Sequence, residues 1–317
     1  MSWANLKANT LGPITLSACP NEGDEEYESV LETLATSDFN RLVLRCGTFS
    51  SLEILETCSK KIQTLLIQTL VNTSFSGIEK LELLTNFDSE AISKKPLPDF
   101  GKLTNLEKCF LAWDKKYDSS AGCQQLFSLI NLKSLGLRYW SMPDCITIAK
   151  LRHLEELAIA QGSLNSLSGI ETCSNLKSIE LHYLSKLNDI SHISNVGQLE
   201  KLEISNCRKI VDISPLFSMH NLRKIKIEKT GACLESLDFI ARLPKLETIC
   251  LDTDIGHINW NVLFNHPTLF DARFSTHKGY DVSDMDIQEF AKQSVRKVVG
   301  PHRFGPKTRP SFAFNLV

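Results

Sequence analysis

A spacing of apolar residues, L-x-x-L-x-L, recurs along most of this chain and constrains its fold more than any other feature. Eleven copies begin at Phe39, Ile62, Ile78, Leu106, Leu132, Leu154, Leu176, Leu199, Leu222, Leu246 and Leu269. Counted from Leu42, the middle positions of successive copies are 23, 16, 28, 26, 22, 22, 23, 23, 24 and 23 residues apart. The last six intervals are nearly constant, which indicates a repeated structural unit. The intervals of 16 and 28 together make twice 22, so the copy around Leu81 is irregular or partly misassigned.

The spacing within each copy predicts a strand that buries one face. The second and third apolar positions are two residues apart, so they point to the same side of a strand, while the residues around them point to the other side. One repeat cannot bury its apolar side alone, so neighbours must stack, driven by about 0.8 kcal/mol per buried CH2 group. The sequence therefore predicts an α/β solenoid. A parallel sheet would form its concave face, with short helices, 3-10 turns or loops on the convex face.

The connecting segments resemble those of a known family. Asp189-Ile190-Ser191 and Asp212-Ile213-Ser214-Pro215-Leu216, followed by His220-Asn221-Leu222, are similar to the short-repeat class of leucine-rich-repeat proteins, which includes internalins and phosphatase-regulatory proteins. The resemblance implies a leucine-rich-repeat solenoid of about ten or eleven coils over residues 39–275, in a stand-alone bacterial cytosolic protein. Three residues beyond the last strand leucine, where this class often has Asn, the chain has residues such as Trp140 and Cys207.

The N-terminal segment, residues 1–38, is predicted to cap the repeats. Within it, five acidic residues between 22 and 28 precede Val30, Leu31 and Leu34, which follow one another at helical spacing. Acidic residues ahead of an apolar helical face are typical of the start of a helix. We therefore expect a solvated capping helix over residues 22–38.

Residues 276–317 are predicted to close the other end with a helix and a basic, proline-containing tail. Ser283-Asp284-Met285-Asp286 resembles a capping box that opens a short helix. The segment 290–317 has six Lys or Arg residues and no acidic residue. Two interpretations of it stay open: a segment draped along the cap with Phe304, Phe312 and Phe314 docked, or an electrostatic arm for an acidic partner.

Charge and hydropathy limit the partners and the location. The formal net charge of -2 argues against general nucleic-acid binding, which needs a clear excess of Lys and Arg. The chain lacks a secretory signal and an apolar run long enough for a membrane span, so a cytoplasmic protein is expected. Several of the ten cysteines occupy apolar repeat positions, which favours reduced, buried thiols.

Outward residues of the middle strands predict a partner-binding patch that combines aromatic, arginine and acidic side chains. Trp, Tyr and Arg are the residue types that dominate binding energy in protein interfaces. The predicted patch consists of Phe110, Trp113, Asp114, Arg138, Tyr139, Trp140, Glu156, Glu180, His182, Tyr183 and Glu203. A competing interpretation is that Trp140 and Tyr183 only pack between coils.

Nothing in the sequence favours an enzyme, a metal site or a cofactor site. The common metal, phosphate and nucleophile motifs are absent, and the eight histidines lack ligand-pair spacing. Cys250-Leu251-Asp252 is similar to the C-x-D element of bacterial leucine-rich ubiquitin ligases, but it lies inside a repeat strand.

The leading hypothesis is a non-enzymatic scaffold, monomeric when free, that captures another protein on its concave face, as an inhibitor or immunity-type protein would. The alternatives are a phosphatase-type regulatory scaffold and an effector with cysteine-dependent ligase activity.

Overall fold

One short strand per repeat is the main element of the fold in the computed structural model, which describes residues 14–16, 25–45, 51–68, 74–93, 97–275, 284–304 and 311–317. The chain divides into two units. The first comprises Met1–Met142 and Lys150–Leu154, and the second comprises Pro143–Ala149 and Glu155–Val317.

In the described part of the first unit, six strands pair in parallel, each with the next along the chain. They are β1 (Ile14–Leu16), β2 (Arg41–Leu44), β3 (Thr64–Ile67), β4 (Asn86–Ser89), β5 (Lys108–Ala112) and β6 (Ser134–Trp140). Helices α1 (Tyr27–Thr36) and α2 (Ala121–Leu126) lie in the connections. So do 3-10 turns at Glu53–Cys58, Ile78–Lys80, Phe100–Lys102 and Lys115–Tyr117.

The sheet register stacks the middle apolar position of each repeat on that of the next. Leu42 pairs with Leu65, and the same row continues through Phe87, Cys109 and Leu135. All five side chains are buried. This row is the apolar spine of the first unit, and the repeat spacing places each residue in it.

The copy predicted at Ile78, Leu81 and Leu83 is wrong. Ile78–Lys80 is a 3-10 turn, and Leu83 is 41% exposed. The strand of this repeat is β4, in which Phe87 stands 22 residues after Leu65 and 22 before Cys109. The third position of its pattern is Ser89, a buried residue whose hydroxyl donates to the carbonyl of Ala91. Because serine is not apolar, the L-x-x-L-x-L spacing does not mark this strand.

The described part of the second unit has six parallel strands followed by an antiparallel pair. The parallel strands are β7 (Glu156–Gly162), β8 (Ser178–His182), β9 (Lys201–Ser205), β10 (Lys224–Ser236), β11 (Thr248–His257) and β12 (Asp271–Ser275). The antiparallel strands are β13 (Val298–Phe304) and β14 (Ser311–Leu316), and the helices are α3 (Trp260–Phe264) and α4 (Asp284–Lys292). 3-10 turns occupy Ile170–Thr172, Ser191–Asn195, Ser214–Ser218 and Asp238–Arg242.

The C-terminal segment forms a β-hairpin, so of the two interpretations left open the docked one is confirmed for Phe312 and Phe314. Strand β14 pairs antiparallel with β12, and Phe312 and Phe314 are buried against Phe274 and Phe264. The alternation of apolar and polar residues in β14 explains this, because one face of a strand can dock while the other stays toward solvent. Ser283 and the side chain of Phe304 lie outside the described residues.

The side of each sheet that faces away from the buried leucines is called here the outer face. In β8, for example, Ile179 and Leu181 are buried, whereas Ser178, Glu180 and His182 are partly exposed. Outer-face side chains of neighbouring strands are about 4.8 Å apart along the sheet, close enough to act on one partner.

Candidate functional site

The predicted patch divides between the two units. Its residues in the first unit are Phe110, Trp113, Asp114, Arg138, Tyr139 and Trp140, and those in the second are Glu156, Glu180, His182, Tyr183 and Glu203.

Phe110 lies on the outer face of the first unit, at the centre of β5. Its ring covers Gly136 of the paired strand so closely that a Cβ at Gly136 would stand 2.3 Å from the ring atom Cδ2. A larger residue at position 136 would therefore force the ring of Phe110 to shift. The contact holds the half-buried phenylalanine ring in one place on the sheet.

Arg138 and Tyr139 extend this surface at the end of β6. The guanidinium carbon of Arg138 lies 5.0 Å from the ring centroid of Tyr139, a cation–π distance. The tyrosine is 42% exposed. Both side chains are of the types enriched at interface hot spots, and their stacking limits the entropy that they lose when a partner binds.

Trp113 and Trp140 do not belong to the outer face. Both are buried, with ring centroids 4.8 Å apart, and both pack on Phe127. The indole N–H of Trp113 donates to Asp118 Oδ1 at 2.8 Å and to Ser141 Oγ at 3.0 Å. These tryptophans build the interior of the first unit, and we remove them from the predicted patch.

A left-handed backbone at Tyr139 explains why Trp140 points inward. Strict alternation after Leu137 would place Arg138 outside, Tyr139 inside and Trp140 outside. Tyr139 has φ of 65°, which breaks the alternation, so Tyr139 remains exposed and Trp140 enters the core.

The second unit repeats this device. Gln161, Tyr183, Asn206 and Lys229 have φ between 53° and 59°, and each stands two residues beyond the third apolar position of its repeat. Tyr183 is 60% exposed, as the predicted patch requires, and the next residue, Leu184, is buried. Sequence reasoning missed this row of left-handed residues. Their nearly constant spacing along the chain was the signal that could have revealed it.

The carboxylate of Asp114 is engaged by contacts within its own turn. Its carboxylate accepts a hydrogen bond from the backbone N–H of Lys116 at 2.9 Å and forms an ion pair with the ammonium of that lysine at 3.3 Å. Asp114 thus caps the 3-10 turn Lys115–Tyr117, which is a structural role at a partly exposed position.

The acidic residues of the second unit pair with cations on the same face. The carboxylate of Glu180 accepts a hydrogen bond from Lys201, which lowers the pKa of Glu180, and Nε2 of His182 lies 3.7 Å from its other oxygen. Glu203 binds Lys226 at 2.7 Å. Glu156 is exposed at the start of β7. Much of the charge on this face is therefore neutralised internally.

The comparisons with known proteins identify the fold. No protein-family model and no curated protein matches the sequence. Among solved structures, the internalin InlF of Listeria monocytogenes is 15% identical, with a TM-score of 0.53 over 81% of this chain and 78% of that one. The chain has the leucine-rich-repeat fold. This confirms the predicted α/β repeat architecture and its internalin-like form.

Two further leucine-rich-repeat structures are similar at a lower level. Internalin C2 of Listeria monocytogenes is 18% identical, with a TM-score of 0.44 over 58% of this chain and 76% of that one. A leucine-rich-repeat protein of Leptospira interrogans is 16% identical, with a TM-score of 0.47 over 77% and 65% of the two chains.

In three coils of this leucine-rich-repeat fold, the position that often holds Asn is apolar. Trp140, Leu184 and Cys207 occupy it in three coils and are buried. The thiol of Cys207 donates to the carbonyl oxygens of Leu181 and Ser205 at 3.7 and 3.5 Å. The coils are thus joined here mainly by packing, with Cys207 supplying weak hydrogen bonds.

Cys250, the nucleophile considered from the sequence, is half-buried on the outer face in β11. Burial and the neighbouring carboxylate of Glu228, whose Oε1 lies 3.7 Å from its sulfur, raise the pKa of Cys250 to about 11. The thiolate is the reactive form, so this environment makes Cys250 a poor nucleophile near neutral pH.

The described residues contain neither a candidate metal site nor a helix suited to a membrane. In this part of the chain, no group of three or more His, Cys, Asp or Glu side chains is arranged to hold a metal ion. No helix among the same residues has the length and apolarity that a bilayer crossing requires.

Proposed function

We propose that this chain is a non-enzymatic scaffold that binds another protein on the outer face of its repeat sheet. The observation that carries the proposal is the fixed presentation of Phe110, Arg138 and Tyr139 in the first unit. Phe110 is held against Gly136, and Arg138 is stacked on Tyr139. Large, preordered aromatic and arginine side chains supply binding energy at a small entropic cost.

The raised pKa of Cys250 supports a binding role over the ligase alternative, because the thiolate that such a reaction needs is disfavoured there. Within the binding role we propose the narrower function of an inhibitor or immunity-type protein, since a sheet face can cover a broad area of a partner. A regulatory scaffold of the phosphatase type is the other form of the same proposal. We also propose that the protein is cytoplasmic and that the free chain is monomeric.

The test is affinity capture from a lysate of the source cells with three forms of the tagged full chain. They are the wild type, the outer-face variant Phe110→Ala with Tyr139→Ala, and a control variant, Ile130→Ser. Ile130 is 73% exposed and lies outside the strands. We expect a protein that the wild type and the control retain and the outer-face variant loses. Equal capture by all three forms would contradict the proposal.

The captured protein then separates the narrower roles. If it is an enzyme or toxin, its activity is measured with increasing amounts of the chain. Inhibition supports the inhibitor role, and a change of substrate preference without inhibition supports the regulatory role. Light scattering on the purified chain tests the monomeric state.

A further inference from the structure

The outer face of the first unit has an apolar centre. The sheet register aligns Val43, Leu66, Asp88, Phe110 and Gly136 in one row across β2 to β6. Leu66 and Phe110 in this row are partly exposed. Apart from Asp88, the row offers only apolar surface to a partner.

The margins of the same face are basic. Arg41, Arg45 and Lys108 are exposed, and Arg138 is partly exposed. Arg45 donates to the neutral amide of Gln68 at 3.2 Å, and Arg138 stacks on Tyr139. Among the residues that the structure describes, no ion pair joins Arg41, Arg45 or Lys108 to a carboxylate. These three cations can therefore pair with acidic groups of another molecule without first breaking an internal pair.

The outer face of the second unit is different. Three of its cations, Lys201, Lys226 and Arg273, already pair with Glu180, Glu203 and Asp271 of the same face. Acidic groups of a partner would have to compete with these carboxylates. The contrast assigns recognition of an acidic partner to the first unit.

Local charge supports this assignment. Four cationic side chains and two carboxylates, those of Asp88 and Glu90, lie on the outer face of the first unit. They are counted over the outer-face positions of β2 to β6 and the residue that follows each of β2, β3 and β4. This face is thus net positive, although the whole chain carries a formal charge of -2. Complementary potentials of this kind speed association and select partners. The excess is too small for binding that depends on many phosphate contacts.

We infer that the outer face of the first unit recognises an acidic protein segment with large apolar side chains. The apolar groups of the segment lie over Leu66 and Phe110, and its carboxylates pair with Arg41, Arg45 and Lys108. The inference rests on the proposed binding function and names the chemistry of the partner. Asp88, in the middle of the row, is the residue that opposes such a segment.

The test is a selection from a random peptide-display library on the immobilised full chain. Three variants are screened in parallel: Arg41→Glu with Lys108→Glu, Asp88→Asn, and Lys224→Glu as a matched charge reversal on the second unit. A labelled single-stranded RNA 20-mer is titrated separately. The composition of the selected peptides is read first, and the affinity of the most enriched peptide is then measured by fluorescence anisotropy.

We expect the wild type to select peptides rich in Asp and Glu beside Leu, Phe or Trp. The Arg41→Glu, Lys108→Glu variant should bind the most enriched peptide about tenfold more weakly or worse, because two attractive charges become repulsive. Asp88→Asn should bind it more tightly, and Lys224→Glu should bind it as the wild type does. Affinity of the wild type should fall as salt is added.

Selection of basic or neutral peptides, no enrichment at all, equal affinity in the double reversal, or tighter binding of the RNA would overturn the inference. Failure of the broader proposal looks different. If the selected peptides are not acidic and do not bind the Phe110→Ala, Tyr139→Ala variant, only the acidic nature of the partner is rejected. Peptides that bind this variant as well as the wild type would also reject the outer face as the binding surface.

Discussion

Tyr139 and Trp140 are neighbours in the sequence and have opposite environments. Substituting each in turn therefore tests which of the two side chains lies in the core. Trp140 is buried between Trp113 and Phe127, whereas Tyr139 is 42% exposed. We expect Trp140→Ala to lower the free energy of unfolding by about 3–5 kcal/mol, because it leaves a large cavity. Tyr139→Ala should change it by less than about 0.5 kcal/mol. Chemical denaturation followed by circular dichroism measures both, and equal losses would contradict the placement of Trp140 in the core.

Cys250 gives a second prediction at the scale of one residue. Its thiol pKa is raised to about 11 by burial and by the carboxylate of Glu228. Glu228→Gln should lower that pKa and so increase the thiolate fraction at a given pH, which speeds reaction with a thiol reagent. The rate is measured against pH in a background in which exposed Cys233, together with Cys19 and Cys46, is changed to Ser. An unchanged rate profile would show that Glu228 does not control this thiol.

The repeat around β4 shows what sequence spacing alone can resolve at the scale of an element. Leu83 and Leu84 are adjacent, but Leu84 is buried and Leu83 is 41% exposed. Leu84→Ala should cost about 2–5 kcal/mol of unfolding free energy, and Leu83→Ala less than about 0.5 kcal/mol. The register predicted from sequence, with Leu83 in the core, requires the reverse order, so denaturant melts of the two variants decide between the registers.

Most of the strands could be predicted because the buried pair in each is marked by two apolar residues at fixed spacing. The strand β4 could not, because Ser89 takes the place of an apolar residue. The candidate binding surface was harder to predict, since alternation holds only within a strand. At Tyr139 a positive φ shifts the pattern by one residue, and an amino-acid sequence does not show where a tyrosine adopts that backbone.

His266 links a coil of the second unit to its C-terminal segment, and we expect its protonation to make stability depend on pH. Its Nε2 lies 3.1 Å from the carbonyl oxygen of Leu243, and its Nδ1 accepts from the backbone N–H of Leu269 at 3.1 Å. This arrangement needs a neutral ring. Burial lowers the pKa of His266 from its ordinary value of 6.5. Arg296 donates to the carbonyl of His266 at 2.8 Å and adds to the effect.

The sign of the effect follows from the lowered pKa. The unfolded histidine binds a proton more readily than the folded one, so its stabilising contribution is present above about pH 6.5 and is lost as the pH falls through the folded pKa. We expect His266→Gln to be less stable near neutral pH and to lose less stability on acidification. Exposed His153, changed to Gln, is the control and should keep the wild-type slope. Parallel slopes for both variants would count against the assignment.

At the scale of the whole molecule, the two units share one repeat but have different arrangements of charge on their outer faces. On the outer face of the first, no described carboxylate forms an ion pair with Arg41, Arg45 or Lys108, whereas on that of the second Lys201, Lys226 and Arg273 pair with carboxylates of the same face. The core positions are similar in both, because they must stack coil on coil. The outward positions are free of that requirement, so they are where function can differ between units.

The last strand decides whether the sheet ends in a protected edge. β14 covers the edge of β12, and its Phe312 and Phe314 bury Phe274, which is 2% exposed. A chain that ends at residue 310 would leave an open strand edge beside exposed aromatic rings, and such edges pair with other chains. We expect this truncated chain to self-associate in light-scattering measurements. The control, Phe312→Ala with Phe314→Ala, keeps the strand and should be destabilised but monomeric. If the truncated chain remains monomeric, β14 is not the element that protects this edge. If the control self-associates, aromatic packing, and not strand pairing, provides the protection.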